Sequence, residues 1–199
     1  MKDKATQLLL TGRIGDGHLY IDRKNKDASA KFFGIIEDYI KFKHDILTDY
    51  GITCSDVKGY VNKGVYKTNK PIYGLYVHTN PKITEVYKMD RVDVIKNLDY
   101  FGFLIYILDD GSFHKRAKGV NVYCNSFSSE EVEVLREKIF ELFPVRYGSV
   151  CYNKKRNGKI YPYIYIHKAT TEAITDYYYQ YMIDNYNLHK LTYKLGFTV

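Results

Sequence analysis

Two short acidic segments are the part of the sequence best suited to chemistry. Each is an aspartate followed by a glycine, Asp16-Gly17 and Asp110-Gly111, and each comes directly after an apolar run with helical spacing. One or two carboxylates, together with phosphate oxygens, are suitable ligands for Mg²⁺. A metal held in this way can activate water and stabilise the leaving oxygen of a phosphodiester. An aspartate–glycine step is also an ordinary turn that ends a helix, so its meaning depends on the surrounding elements.

Those surrounding elements occur twice along the chain. Helices are predicted at residues 4–14, 37–50, 81–89 and 100–108, from 128 and from 171, with strands at 18–22, 30–36, 57–66, 72–78, near 113, and at 120–127, 146–152 and 160–167. This internal duplication predicts an α+β fold of two αββαββα repeats, each with an antiparallel sheet. We assign residues 1–90 to the first repeat, 91–98 to a linker and 99–199 to the second repeat.

The two acidic segments also carry a resemblance to a known family. Residues 9–17 (LLTGRIGDG) and 103–111 (FLIYILDDG) resemble the motif of the LAGLIDADG homing endonucleases, in the single-chain, intron-encoded branch. The resemblance implies that two motif helices pack at the centre of a saddle of two antiparallel sheets. It implies a metal site for Mg²⁺ or Mn²⁺ at Asp16 and Asp110, with Gly15 and Asp109 beside them. The implied activity is site-specific cleavage of both strands of DNA by hydrolysis.

Three further residues have places in this resemblance. Residues 124–135 are similar to the strand-to-helix step of the intron-encoded branch, in which an amide near the active site corresponds to Asn125. The ending 193–195 (Tyr-Lys-Leu) resembles one whose lysine, here Lys194, approaches the cleavage centre, and the repeat assigns Lys88 the same place in the first half. Such lysines would stabilise phosphate charge or polarise the water. The alternative for each lysine is a solvated surface charge.

The first motif departs from the family pattern at two positions. Thr11 and Arg13 stand where the family usually has apolar and small residues. A buried arginine without a partner would be costly, so we expect Arg13 either to lie at the rim of the helix interface or to contact DNA.

Basic residues at the predicted strand turns suggest a nucleic-acid surface. The chain has a net charge of +7, and an excess of Lys and Arg on a folded domain favours a polyanionic partner. Solvated hairpin tips are equally rich in lysine, so a solvated surface charge is the alternative for each single residue. The candidate DNA-binding residues are Arg23, Lys24, Lys26, Lys31, Lys63, Lys67, Lys70, Lys115, Arg116, Lys118, Lys154, Lys155, Arg156 and Lys159.

The composition excludes several other classes of protein. Hydrophobic residues make up 45% of the chain, which is too many for a disordered protein. No apolar stretch approaches the roughly 20 residues of a membrane helix, and the N-terminus lacks the features of a secretory signal. The three scattered cysteines indicate neither a disulfide framework nor a zinc cluster. We therefore expect a monomeric intracellular protein of the cytoplasm, nucleoid or organelle matrix. Packing explains most of the 22 tyrosines better than base stacking does.

Three functions compete on these observations. A metal-dependent endonuclease with two non-identical repeats would recognise a long, asymmetric site in double-stranded DNA. An RNA maturase, with intron RNA as its partner, or a DNA-binding protein that does not cut would have the same fold. A structural module explains neither the charge nor the paired aspartate–glycine steps. Because neither aspartate is lost, we favour the endonuclease.

Overall fold

The structure of this protein is a computed structural model that describes residues 2–22, 24, 26–61, 71–143, 148–154, 160–183, 186 and 188–196. The chain divides into two compact units, residues 1–90 and 91–199. None of the described helices combines the length and apolar character needed to cross a membrane.

The described residues of the first unit form one four-stranded antiparallel sheet and three helices. Its elements are α1 (Lys4–Ile14), β1 (Gly17–Tyr20), β2 (Ser29–Gly34), α2 (Glu37–Asp49), β3 (Lys58–Tyr60), β4 (Ile72–Val77) and α3 (Pro81–Lys88). The strand order is β1-β2-β4-β3. The three helices pack on the sheet, so side chains alternate between a buried inner face and an open outer face.

The second unit repeats this plan. Its elements are α4 (Arg91–Lys96), α5 (Tyr100–Asp110), β5 (Gly111–His114), β6 (Gly119–Tyr123), α6 (Ser129–Leu142), β7 (Gly148–Lys154), β8 (Ile160–Ile166) and α7 (Lys168–Tyr178), followed by a π-helical turn (Tyr179–Ile183) and a 3₁₀ helix (His189–Lys194). The strand order β5-β6-β8-β7 matches that of the first sheet. The α+β class, with two helix–sheet repeats, is therefore confirmed.

The residues between the repeats are structured. We expected 91–98 to be a linker, and this segment contains α4, which packs on α6 within the second unit. The side chain of Arg91, its first residue, donates a hydrogen bond of 2.8 Å to the carbonyl of Ser126. The connecting segment is therefore part of the structure that holds the loop before α6.

The two sheets share the same strand register. Gly17 pairs with Phe32 in the first sheet, as Gly111 pairs with Val122 in the second. In the next pairing, Phe32 lies opposite Leu75 and Val122 lies opposite Ile164. Positions can therefore be matched between the units from backbone pairing alone.

Local side-chain contacts explain where the helices begin. Asp3 accepts a hydrogen bond of 2.7 Å from the backbone N–H of Thr6 at the start of α1, and Asp99 caps α5 in the same way. Ser128 and Glu131 form a complete capping box at the start of α6. Strand β6 ends at Tyr123, four residues earlier than predicted from the sequence, because residues 124–127 form a turn before this cap.

Steric crowding explains why a glycine follows each aspartate. A Cβ atom on Gly17 would lie 2.4 Å from the Cα atom of Gly12, and one on Gly111 would lie 2.3 Å from the carbonyl oxygen of Ile107. In both units the strand therefore begins against the last turn of the helix, with no room for a side chain. The position of the aspartate is consequently set by backbone packing.

We predict that Gly111→Ala destabilises the protein by about 1–3 kcal/mol or more, because the added methyl meets backbone that cannot rotate away. Urea titration followed by far-UV circular dichroism measures the change. Gly59→Ala is the matched control, because its Cβ atom would lie 3.4 Å from the nearest atom of the Tyr73 ring, an ordinary contact. Equal midpoints for the two variants would contradict the steric explanation.

Candidate active site

The two aspartates lie at equivalent helix ends but in different surroundings. Asp16 follows the C-cap Gly15 of α1 and is exposed. Asp110 is the last residue of α5 and is half-buried, with its Oδ2 atom fully buried. Burial strengthens electrostatic interactions of the Asp110 carboxylate more than those of Asp16, since less water surrounds it.

Lys194 lies directly beside Asp110. Its Nζ atom donates hydrogen bonds to the carbonyl oxygens of Asp109, at 3.3 Å, and of Gly111, at 2.9 Å. These two residues flank Asp110, and the carbonyls at the end of a helix carry partial negative charge that favours an ammonium group. The side chain is half-buried at the end of the 3₁₀ helix. The sequence-predicted pair of Asp110 and Lys194 is thus brought together within the second unit.

Tyr106 and Cys124 lie near the Asp110 carboxylate. Burial raises the pKa of Tyr106 well above its usual value, and the nearby Cys124 and Asp110 raise it further. Burial also raises the pKa of the Cys124 thiol to about 12. Both groups are therefore neutral at physiological pH, so the thiol is not available as a nucleophile.

Asn125 lies exposed on a loop that is fastened at several points. The backbone N–H of Cys124 donates to the carbonyl of Pro162, and that of Phe127 donates to the carbonyl of Cys124, both at 3.1 Å. The Phe127 ring stacks on Tyr106 at a centroid distance of 6.3 Å, and the Arg91 guanidinium lies 5.5 Å from its centroid. The loop is therefore tied to the helix that carries Asp110.

The sequence did not single out Arg91, Tyr106 or Phe127 as site residues. The aromatic types at 106 and 127 were the available signal, but their pairing depends on the turn after β6. Arg91 belongs to the segment that we expected to be a linker, and its contact with residue 126 joins positions far apart in the chain.

The end of α1 has a different set of neighbours. Lys88 is exposed at the end of α3, and within the part of the chain that the structure describes it makes no hydrogen bond to the end of α1. Arg13 is half-buried, and its guanidinium lies 5.9 Å from the centroid of the Tyr87 ring. Phe32 and Val122 occupy matching positions in the two sheets, so Ile35, three residues after Phe32, corresponds to Asn125. Ile35 is 58% exposed. Neither Lys88 nor the residue at position 35 therefore reproduces, among the described residues of the first unit, the contacts found around Asp110.

The two departures from the family motif have separate explanations. Thr11 is fully buried, and its hydroxyl donates a 2.8 Å hydrogen bond to the carbonyl of Leu8, so its polar group is satisfied. The Nε atom of Arg13 is buried and has no hydrogen-bond partner among the described residues, while the guanidinium packs on Tyr87. An aromatic ring under the guanidinium offsets part of the cost of burial.

The predicted DNA-binding residues fall into three groups. Exposed turn residues are Lys24 and Lys26 between β1 and β2, and Lys115, Arg116 and Lys118 between β5 and β6. Lys31 instead lies half-buried on the open face of the first sheet. Arg23, Lys63, Lys67, Lys70, Lys155, Arg156 and Lys159 lie outside the described residues, as does the side chain of Lys154 at the end of β7.

The chemistry of the candidate metal ligands fits a hard divalent cation. Asp16 in one unit, and Asp109 and Asp110 in the other, offer carboxylate oxygens, which Mg²⁺ and Mn²⁺ prefer. Among the described residues, no group of three or more His, Cys, Asp or Glu side chains could hold a metal by itself. A cation at either aspartate would therefore need further oxygens, such as those of a phosphate or water.

We predict that Cys124 in the folded protein resists alkylation by iodoacetamide at pH 8.5. Its thiol is fully buried, and its pKa of about 12 leaves almost no thiolate at that pH. Mass spectrometry of peptides before and after urea denaturation provides the measurement, with the unfolded chain as the control. Rapid labelling of the native protein would contradict the burial described for this residue.

Comparison with known proteins identifies structures with the same fold and a matching family. Among solved structures, the chain is similar to the homing endonuclease I-WcaI bound to its DNA recognition sequence, with a TM-score of 0.76 and 21% identity over 99% of this chain and 88% of that one. It is also similar to a variant of the homing endonuclease I-DmoI in complex with its target DNA in the presence of manganese (TM-score 0.53, 14% identity, 93% and 97% covered). Full-length WhiA from Thermatoga maritima is similar as well (TM-score 0.54, 12% identity, 98% and 62% covered).

These structural similarities, at low identity, establish the fold. No curated protein matches the chain in sequence. The family model described as the LAGLIDADG DNA endonuclease family matches residues 9–174, a span that includes both aspartates and both sheets. The resemblance seen in the two acidic segments is thereby confirmed, and the chain belongs to the LAGLIDADG DNA endonuclease family.

Proposed function

We propose that this protein is a site-specific, metal-dependent endonuclease that hydrolyses one phosphodiester in each strand of double-stranded DNA. The observation that carries the proposal is the position of Lys194, whose ammonium group is held on both sides of Asp110 by the carbonyls of Asp109 and Gly111. Phosphodiester hydrolysis uses a carboxylate that binds a divalent metal and a cation that stabilises phosphate charge, and both groups lie at this helix end. Membership in a family of DNA endonucleases supports the same conclusion.

The aspartates are the proposed metal ligands, with the backbone at Gly15 and the side chain of Asp109 beside them. Mg²⁺ or Mn²⁺ bound there with phosphate oxygens would supply charge neutralisation and an activated water. The protein contributes the orientation of the carboxylates, because the packing at Gly17 and Gly111 fixes the helix ends. A similar endonuclease structure was determined in the presence of manganese, which is consistent with this ligand set.

Lys194 has a donor left for the substrate. An ammonium group has three N–H donors, and two of these bind the flanking carbonyls. The third can donate to a phosphate oxygen and stabilise the charge that develops during hydrolysis. Asn125, on the loop that is tied to α5, would orient a water or a phosphate oxygen.

In the first unit, Lys88 is the proposed counterpart of Lys194. Its side chain is exposed and would have to approach the scissile phosphate when DNA binds. Arg13, one turn before Asp16, supplies a second positive charge on the same helix end. The two centres would therefore perform the same reaction with different supporting residues.

DNA binding is assigned to the turns and open faces of the sheets. Lys24, Lys26, Lys115, Arg116 and Lys118 would contact phosphates, because they are exposed and positively charged. A single chain with two different sheets would bind as a monomer to an asymmetric target.

The alternative function is nucleic-acid binding without cleavage, as an RNA maturase or a DNA-binding protein. The observation that favours it is the exposed position of Asp16, in contrast to the half-buried Asp110 beside Lys194. The two proposals differ in whether any DNA is cut, and the next experiment separates them.

We predict that Asp16→Asn and Asp110→Asn each abolish double-strand cleavage, lowering the rate by roughly 100-fold or more, because the amide is a poor metal ligand and carries no charge. The assay is cleavage of a randomised or genomic DNA library with Mg²⁺, read by sequencing of the ends. Plasmids containing the recovered site then report nicking and linearisation separately. Wild-type protein that binds DNA or RNA but cuts nothing would establish the binding function instead.

We predict that Lys194→Met lowers the cleavage rate at one strand by on the order of 100-fold while DNA affinity changes little, because its ammonium acts on the reacting phosphate. Single-turnover rates and binding constants, measured on the same labelled duplex, distinguish the two effects. Lys190→Met, in the same 3₁₀ helix, is the matched control for the loss of one positive charge. Equal rates for the two variants would remove Lys194 from the proposed mechanism.

A further inference from the structure

The open face of the first sheet has an unusual composition for a DNA-reading surface. The described residues of strands β1 to β4 include no Arg, Asn, Gln, Asp or Glu. Arginine is the usual reader of guanine, asparagine and glutamine read adenine, and acidic side chains accept from cytosine. Among the described strand residues of this unit, direct hydrogen-bond readout is therefore left to serine, lysine, histidine and tyrosine.

Aromatic side chains occupy this face instead. We call the aromatic face the set formed by His18, Tyr20, Lys31, Phe33, Tyr60 and Tyr76. Of these, Phe33 is 40% exposed, Tyr60 41% and Tyr76 36%, so each presents apolar carbon to solvent. Contact with another apolar group would remove this surface from water, which is favourable.

The rings of the aromatic face are packed against one another. Phe33 and Tyr76 meet edge to face at a centroid distance of 5.9 Å, and His18 stacks on Tyr20 at 5.4 Å. A Cβ atom on Gly74 would lie 2.8 Å from the Phe33 ring and 3.0 Å from the Tyr60 ring, so these two rings cover the glycine. The face is therefore a continuous, preorganised surface.

Lys31 closes two ring faces to further stacking. Its Nζ atom lies 4.6 Å from the centroid of Tyr20 and 5.3 Å from that of Tyr76. An ammonium over these rings leaves little room for an unpaired base to stack on them. This arrangement favours contact of ring edges with groups that project from a duplex over binding of single-stranded nucleic acid.

One group in the major groove of DNA matches such a surface. The C5-methyl group of thymine is the apolar feature there, and apolar side chains recognise it by contact. We propose that the aromatic face reads thymine methyl groups in the major groove, and that the half of the target bound by the first unit is rich in A·T pairs. This inference rests on the proposed function only in taking duplex DNA as the partner.

The second sheet offers an internal contrast. Lys31 pairs with His18 and Tyr76 across the first sheet, and the same register places Asn121 between Ser112 and Tyr165 in the second. An asparagine can bind the N6 and N7 atoms of adenine. The second sheet also carries rings on this side, such as Tyr123 and Tyr165, but Asn121 adds a reader of adenine that the described strands of the first sheet lack.

The test replaces thymine by deoxyuridine, which lacks the methyl group, in one half of a bound duplex at a time. In the half bound by the first unit, we expect the affinity of the wild-type protein to fall about fourfold for each thymine methyl group that the aromatic face contacts, and the loss in the other half should be smaller. 5-Bromodeoxyuridine, whose bromine is close to a methyl group in size, should restore the affinity. Affinity is measured in the absence of divalent metal, and cleavage is measured in a separate assay. A duplex that is bound but not cut would therefore contradict the proposed function and leave this inference standing.

Variants then assign the effect to the aromatic face. Phe33→Ala should abolish the difference between thymine and deoxyuridine, whereas Tyr123→Ala, at the matching position of the second sheet, should preserve it. If Phe33→Ala fails to fold, the substitutions in DNA with wild-type protein decide alone. Equal affinity for thymine- and deoxyuridine-containing DNA in both halves would overturn the inference, as would tighter binding of single-stranded DNA or RNA than of any duplex.

Discussion

The geometry of this protein depends on one close approach, made once in each unit. A strand leaves the end of a buried helix so tightly that the backbone at Gly111 nearly touches the carbonyl of Ile107, with the same crowding between Gly17 and Gly12. This approach determines where the first strand of each sheet begins and therefore the register of the strands that follow. The aspartate is the residue at which the chain changes direction, so its carboxylate is placed by backbone atoms.

The two aspartates lie on similar backbones but have different side chains around them. The carboxylate of Asp110 is half-buried, bordered by two neutral groups and by a lysine that binds the helix end. The carboxylate of Asp16 is exposed, with an arginine that packs on a tyrosine one turn away. The difference arises partly in the backbone, because α5 continues through Asp110 whereas α1 ends at Ile14, and partly from side chains on elements distant in sequence. Electrostatic interactions at the buried centre are less screened by water and salt than those at the exposed centre.

The sequence was sufficient for most of the element order and for the end of α1, but it ended α5 two residues early and missed α4. Period, caps and glycine positions are local signals, and they predicted α1 with its observed bounds and the start of α6. Lys194 could be placed only through the resemblance, because its contact joins residues 83 or more positions apart. The role of Arg91 and the packing of rings on the open face were missed, since neither produces a periodic pattern. Half-buried packing was predicted for most tyrosines, and it is found for Tyr161, Tyr163 and Tyr165 in β8, whereas Tyr60 and Tyr76 are exposed.

The identical register of the two sheets has a consequence for how such a protein evolves. Inner-face residues such as Phe32 and Val122 form the core, while their strand neighbours Lys31 and Asn121 point to the opposite side. A point mutation on the outer side can therefore alter recognition while the free energy of unfolding stays nearly constant. After duplication, each half of such a gene can drift neutrally toward different sequences, so a new cleavage site is reachable through a series of folded intermediates.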